Sequence, residues 1–223
     1  MGDPDLRALP LAELLESFAS DRRGPAAGSA AALAVAVAAA LVRSGGLLTA
    51  SKASSPDARI RLRYAPFEAR ASAIAAEAAG HMARALWAVQ EDAVRVGRVI
   101  AAREVRDAAE GPARVVAEMA EIEALRAAAE VPVEVARLGG AVGELGRELL
   151  ERGAASAKAD AAAAILTACA GVEAAMAITA VNRRRLKEDP LFAASLAEVA
   201  SVAERLPACR DAATAFTRTS RQD

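Results

Sequence analysis

The chain has 223 residues, a formal net charge of −1, 54% hydrophobic residues and only 3% aromatic ones. That length suits one large domain or two small ones, and the balanced charge leaves no basic excess of the kind a nucleic-acid partner requires. Cys169 and Cys209 lie far apart and form no metal-ligand spacing. Most of the apolar content is alanine. Alanine is the best helix former but buries little area, so its helices must approach closely to make a core. The composition predicts an all-α, single-domain bundle over residues 1–223, with about seven to eight helices and a central apolar, alanine-rich one.

The N-terminal residues lack a signal-peptide pattern. Together with the sparse cysteines, this sets a reduced, cytoplasmic setting as the expectation. Pro10 stands where a first helical residue belongs, and Leu11, Leu14, Leu15 and Phe18 follow at helical spacing. A short amphipathic helix to about Ser20 follows, then a turn over residues 21–28. Ser29 starts a helix to about Ser51 that is apolar on nearly every face. Residues 24–42 carry no charge, but they are mostly alanine and are followed by Arg43, Ser44, Gly45 and Gly46. A core helix rather than a membrane span is expected.

Residues 52–57 read as a loop, and Pro66 begins a long helix to about Glu104. Gly111-Pro112 breaks the chain, residues 114–130 are helical, and Pro132 starts another helix with Gly139, Gly140, Gly143 and Gly146. Residues 156–187 form a long alanine-rich helix. Pro190 opens a further helix, Pro207 precedes the last, and residues 217–223 are expected to fray.

His81 is the only histidine. It is expected to be a surface or packing residue, which leaves a His-based triad or a multi-histidine zinc site without material. Neither GxGxxG nor a Walker sequence is present. Catalysis would have to rest on carboxylates, hydroxyls, amides, lysines or backbone groups.

Three features can carry function. The Gly24-Pro25-Ala26-Ala27-Gly28-Ser29 turn presents backbone N–H groups at a positive helix end, suited to a carboxylate or a polar ring edge. The plainer use is a simple cap by Ser29 or a neighbour. Asp160 interrupts the run of residues 157–164, where aspartate is a poor interior helix residue. Its helical face carries Ser156, Ala164, Thr167, Gly171 and Asn182, so it either lines a cavity as an acid or base or stands on a solvated face. Asp92, beside Glu91, reads most plainly as part of an exposed charged pair, and Lys52 as a helix-end lysine.

Taken in order, these pieces resemble the formiminotransferase-cyclodeaminase C-terminal domain family, which includes stand-alone methenyltetrahydrofolate cyclohydrolases. The resemblance rests on Pro25-Ala26-Ala27-Gly28-Ser29-Ala30, on Leu47-Leu48-Thr49, on Asp92-Ala93 and on Val131-Pro132-Val133. It continues through Lys158-Ala159-Asp160-Ala161, Gly171 and Asn182. It spans about residues 10–187. Two family glycines are Ala26 and Ala27 here, a Gly-Asn-x-Asn run reads Gly153-Ala154-Ala155-Ser156, a family asparagine falls at Ile178, and a phenylalanine becomes Val96. About ten extra residues separate Lys52 from the long helix.

The resemblance implies one-carbon chemistry on a tetrahydrofolate substrate, with no metal and no bound prosthetic group. It implies Asp160 as the catalytic acid–base, and Pro25, Gly28, Ser29, Lys52, Asp92, Ser156 and Asn182 as substrate-binding groups. It also implies a homodimer without nucleic-acid or membrane partners. The competing expectation is a diverged member that keeps the dimeric scaffold, has lost catalysis, and binds another small molecule or a protein.

Overall fold

The computed structural model describes residues 5–20, 24–186 and 189–219. Among them are seven α-helices: α1 Leu11–Ala19, α2 Ala27–Lys52, α3 Ala58–Tyr64, α4 Glu68–Ala108, α5 Gly111–Arg152, α6 Lys158–Leu186 and α7 Pro190–Thr219. Three single 3-10 turns, Leu6–Ala8, Ala65–Phe67 and Ala155–Ala157, join them, and no strand occurs among the described residues.

The alanine content sets the architecture. α2 is the central helix and packs on α4, α5 and α6. Its residues Ala32, Val35, Ala38, Ala39 and Val42 are fully buried. With such short side chains, burial demands close helix approach, and glycines permit it at the tightest points. A methyl group on Gly46 would lie 2.8 Å from Ala71 O and 3.0 Å from Ala75 N of α4. One on Gly171 would lie 2.7 Å from Val35 Cγ2 and 3.1 Å from Ala31 O. These pairs, with Gly45 beside Ala157, show that α2 runs antiparallel to both α4 and α6.

α4 has 41 residues and α5 has 42, so both outrun α2. Their far halves form an antiparallel arm, reversed at Gly111, whose φ of +56° is left-handed and costs glycine little. Buried Glu121 pairs there with Arg103 and Arg106 of α4 and Arg185 of α6. Burial opposes its charge, but the arginines prevail and hold its pKa below the ordinary 4.5.

Several element boundaries differ from the sequence expectation. Pro132 does not start a helix: it lies inside the continuous α5, and Pro207 lies inside α7. An interior proline removes one backbone hydrogen bond. At Pro132 the flanking Val131, Val133 and Val135 are all buried, and that packing holds the helix together. α3 lies just beyond the expected loop and has no counterpart in the sequence expectation, although Asp57 caps it by accepting from Arg59 N and Ile60 N, a legible start signal. α2 begins two residues before Ser29, and α4 begins at Glu68 and reaches Ala108. The expected frayed end is helical to Thr219. Residues 21–23 of the expected turn, Lys187 and residues 220–223 lie outside the described residues.

Gly46→Ala places its methyl against backbone atoms that cannot move independently, so it is expected to destabilise by about 1–3 kcal/mol. Gly80, inside α4, has open space where a methyl would go, with no atom within 4 Å. Gly80→Ala is expected to stabilise by about 0.5–1 kcal/mol through helix propensity alone. Thermal and urea unfolding of the two variants should move in opposite directions.

Candidate functional site

The first turn of α2 has no cap of its own. Ala26 occupies the N-cap position at φ −129°, ψ −155°, and has no side-chain acceptor. A helix start buried without partners leaves N–H groups unsatisfied. Asp92, from α4, supplies what is missing. Its Oδ2 accepts from Ser29 N at 2.8 Å. The Ser29 hydroxyl lies 3.0 Å from the same Oδ2 and 2.9 Å from Val89 O, so one proton is shared between two acceptors. The carboxylate also sits at the positive end of the α2 dipole.

This placement makes Gly28 obligatory. A methyl group there would come within 2.0 Å of Asp92 Oδ1. Ser29 is 0% exposed and Asp92 4% exposed, so the plain expectation of an exposed charged pair at Asp92 is corrected. Burial raises the Asp92 pKa above its ordinary 3.8, and the two hydrogen bonds from Ser29 oppose that rise. The anion held by the turn is therefore the protein's own carboxylate. Ala26 and Ala27 bring no strain, because Ala26 is extended, Ala27 is helical and no non-glycine residue among those described has a positive φ.

A second group gathers at the opposite end of α2. Thr49 Oγ1 accepts from Ala154 N at 3.0 Å, and the Tyr64 hydroxyl accepts from Ala155 N at 3.4 Å. The extra residues after Lys52 thus form α3, whose Tyr64 buttresses the 153–157 connection against α2. That connection delivers Asp160 to the first turn of α6. Aspartate is favoured in a first turn, so the view of Asp160 as an anomalous interior residue is corrected. Asp160 is half-buried, and no hydrogen bond or ion pair holds its carboxylate among the described residues. Ser156 is exposed and Lys52 half-buried at this same end.

The expected site residues therefore fall into two sets. Gly28, Ser29 and Asp92 are in contact, with Pro25 buried just before them. Asp160, Ser156 and Lys52 lie toward the opposite end of α2, Asp160 about 20 Å and Lys52 about 35 Å along the helix axis from Ser29, at a rise of ~1.5 Å per helical residue. Half-buried Asn182 sits near the far end of α6 from Asp160. One chain does not bring all of them together. A cleft of about 330 Å³ lies elsewhere, between α4, α5 and α7, lined by Trp87, Arg84, Glu134, Arg137, Ser195 and Glu198 among others. None of the expected site residues lines it. Its one signal in the sequence is the single tryptophan of the chain, which stands in no motif.

The fold is an all-α bundle organised around a capped, apolar central helix. The sequence matches the formiminotransferase-cyclodeaminase family over residues 10–201, and the chain belongs to that family. It is similar in structure to formiminotetrahydrofolate cyclodeaminase from Thermotoga maritima. The TM-score is 0.75 at 19% identity, over 93% of this chain and 95% of the other. No curated protein sequence matches it.

Gly28→Ala and Asp92→Ala are each expected to destabilise by about 2–3 kcal/mol, through overpacking and through orphaned buried donors respectively. Their double mutant should cost less than the sum, with a coupling of about 0.5–3 kcal/mol in a double-mutant cycle. The pH dependence has a definite sign. Because the folded pKa of Asp92 is raised, its contribution is fully present below the unfolded pKa and declines as pH rises through the folded one. The stability of wild type relative to Asp92→Asn should therefore fall from acid toward neutral pH in urea titrations.

Proposed function

We propose that this chain is a folate one-carbon enzyme acting on a tetrahydrofolate derivative, as a methenyltetrahydrofolate cyclohydrolase or a formiminotetrahydrofolate cyclodeaminase. The observation that carries the proposal is the family match over residues 10–201. The similarity in structure to formiminotetrahydrofolate cyclodeaminase from Thermotoga maritima, over 93% of this chain, is consistent with the reading. A homodimer is proposed as the working form.

Asp160 is assigned as the acid–base. Its carboxylate is half-buried in the first turn of α6, whereas Asp92 is engaged by Ser29. In the cyclohydrolase reaction, water adds to the methenyl carbon bridging two folate nitrogens, and Asp160 takes the water proton. One carbon–nitrogen bond then breaks, the relayed proton passes to the departing nitrogen, and the remaining hydroxyl proton leaves to solvent as the carbonyl forms, leaving a formyl group on the other nitrogen. In the cyclodeaminase reaction, a folate N–H nitrogen attacks the formimino carbon, Asp160 takes its proton, and the same proton passes to the amino nitrogen of the tetrahedral centre, whose carbon–nitrogen bond breaks to release ammonia. Each is one proton relay through a tetrahedral carbon, which a single positioned carboxylate can serve.

Hydrolysis of methenyltetrahydrofolate, followed by absorbance, and ammonia release from formiminotetrahydrofolate test the two reactions. Asp160→Asn is expected to lower the active one by about 10²–10⁴-fold while leaving the unfolding midpoint within error. Full turnover by that variant would remove Asp160 from the chemistry. Absence of any heat on titrating tetrahydrofolate into wild type would point to the diverged scaffold instead.

A further inference from the structure

We propose that the cleft between α4, α5 and α7 binds a planar nitrogen cation, an amidinium or guanidinium group, stacked on Trp87 and held by carboxylates. The inference is independent of the folate reading, since no residue assigned to that chemistry lines this cleft.

The cleft holds about 330 Å³, at the lower end of the roughly 300–1,000 Å³ usual for small-molecule sites. The buried part of its lining is small and apolar, formed by Ala88, Val131 and Val133. The largest side chain lining it is Trp87, which is 46% exposed.

The charged part of the lining decides the class of ligand. Arg84, Arg95 and Arg137 line the cleft, and each is already paired. Arg84 and Arg137 share Glu134, one on each carboxylate oxygen. Arg137 also forms a two-bond fork with Glu198 of α7, at 2.5 and 2.8 Å. Arg95 pairs with Glu130 at 2.6 Å and with Glu91 at 3.0 Å. A phosphate or carboxylate ligand would have to displace a carboxylate from every guanidinium it approached. The network holds four carboxylates against three guanidiniums, one negative charge in excess. It therefore favours a cation.

Trp87 selects among cations. An indole face attracts a cation held within about 6 Å of the ring centre. Three arginines line the cleft, yet none stacks on Trp87 among the described residues. The guanidinium–ring contacts are those of Arg63 with Tyr64 and Arg152 with Phe67. The carboxylates engage the cleft arginines instead, and the indole keeps its attraction for an incoming cation. A planar, delocalised cation is more weakly hydrated than an ammonium, so it loses less on stacking. Its N–H groups point outward in its own plane. Each oxygen of Glu134 and Glu198 accepts one arginine bond and retains a second lone pair that can receive them. Trp87 comes from α4 and Glu198 from α7, so the bound cation bridges the C-terminal helix to the bundle.

Trp87 is the only tryptophan, so indole emission reports this cleft alone. Benzamidine is the probe. Benzamide has its shape without the charge, and benzoate has the ring with the opposite charge. Benzamidine should change the emission saturably and raise the unfolding midpoint, with both controls weaker by about tenfold or more. In calorimetry, which does not need the indole, Trp87→Leu and Glu198→Gln should each weaken benzamidine by about tenfold. Glu118→Gln, outside the cleft, should leave it unchanged, as should Asp160→Asn, so the cleft and the folate reading fail separately. A Gly-Arg-Gly amide distinguishes the source of the cation. If it binds more tightly than benzamidine, the occupant is the arginine side chain of a peptide; if more weakly, it is a free small amidine or guanidine. A linear, unsaturable response would overturn the proposal. So would equal binding of benzamide or benzoate, or full affinity in folded Trp87→Leu and Glu198→Gln. Displacement of benzamidine by tetrahydrofolate would overturn it as a separate site.

Discussion

The close approach of α2 to α4 and α6 is the constraint from which the rest of the molecule follows. Alanine-rich helices have little side-chain area to bury, so they gain cohesion only by bringing backbones together. Gly46 meets the backbone of α4 near one end of α2, and Gly171 of α6 meets α2 near Ala31 and Val35. Between them stand fully buried valines and alanines of α2. The same closeness lets a carboxylate from α4 reach the first turn of α2. A longer contact distance would leave room for a side chain at residue 28 and leave Ser29 N without its partner.

That carboxylate changes what the glycine-bearing turn does. A helix N-terminus is a ready anion site, and here the anion is built in. Asp92 satisfies the start of a helix whose own N-cap, Ala26, has nothing to offer. The turn is therefore preorganised by an interaction between helices rather than by its own residues, and the alanines at 26 and 27 are compatible with it. At the opposite end of α2, Thr49 and Tyr64 hold the short connection that sets Asp160 at the head of α6. The two ends are built differently. One has a carboxylate locked in the core, and the other has a half-buried carboxylate with no hydrogen bond or ion pair among the described residues.

Apolarity is distributed in a way that a single chain does not exhaust. The two most apolar helices stand together and leave Val37 and Leu166 exposed, while α4 and α5 carry ion pairs of their own, among them Arg70 with Glu148 and Arg95 with Glu130. Charged and apolar faces thus separate across the bundle.

By itself the sequence determined the helical class, the central place of the apolar helix and the order of the motifs, because alanine content, proline and glycine breaks and helical spacing act locally. It also singled out Gly28, Ser29, Asp92 and Asp160. It misplaced two helix starts at Pro132 and Pro207, since local propensity cannot register the packing that carries a helix through a proline. It left α3 unmarked, although Asp57 announced it. Only the tertiary structure decided that Asp92 is a buried cap rather than a surface charge, that Gly28 is required by that carboxylate, and that Asp160 stands at the far end of the bundle. Those facts depend on which helices lie against one another and how closely, a property of the packed chain that no spacing along α2, α4 or α6 contains.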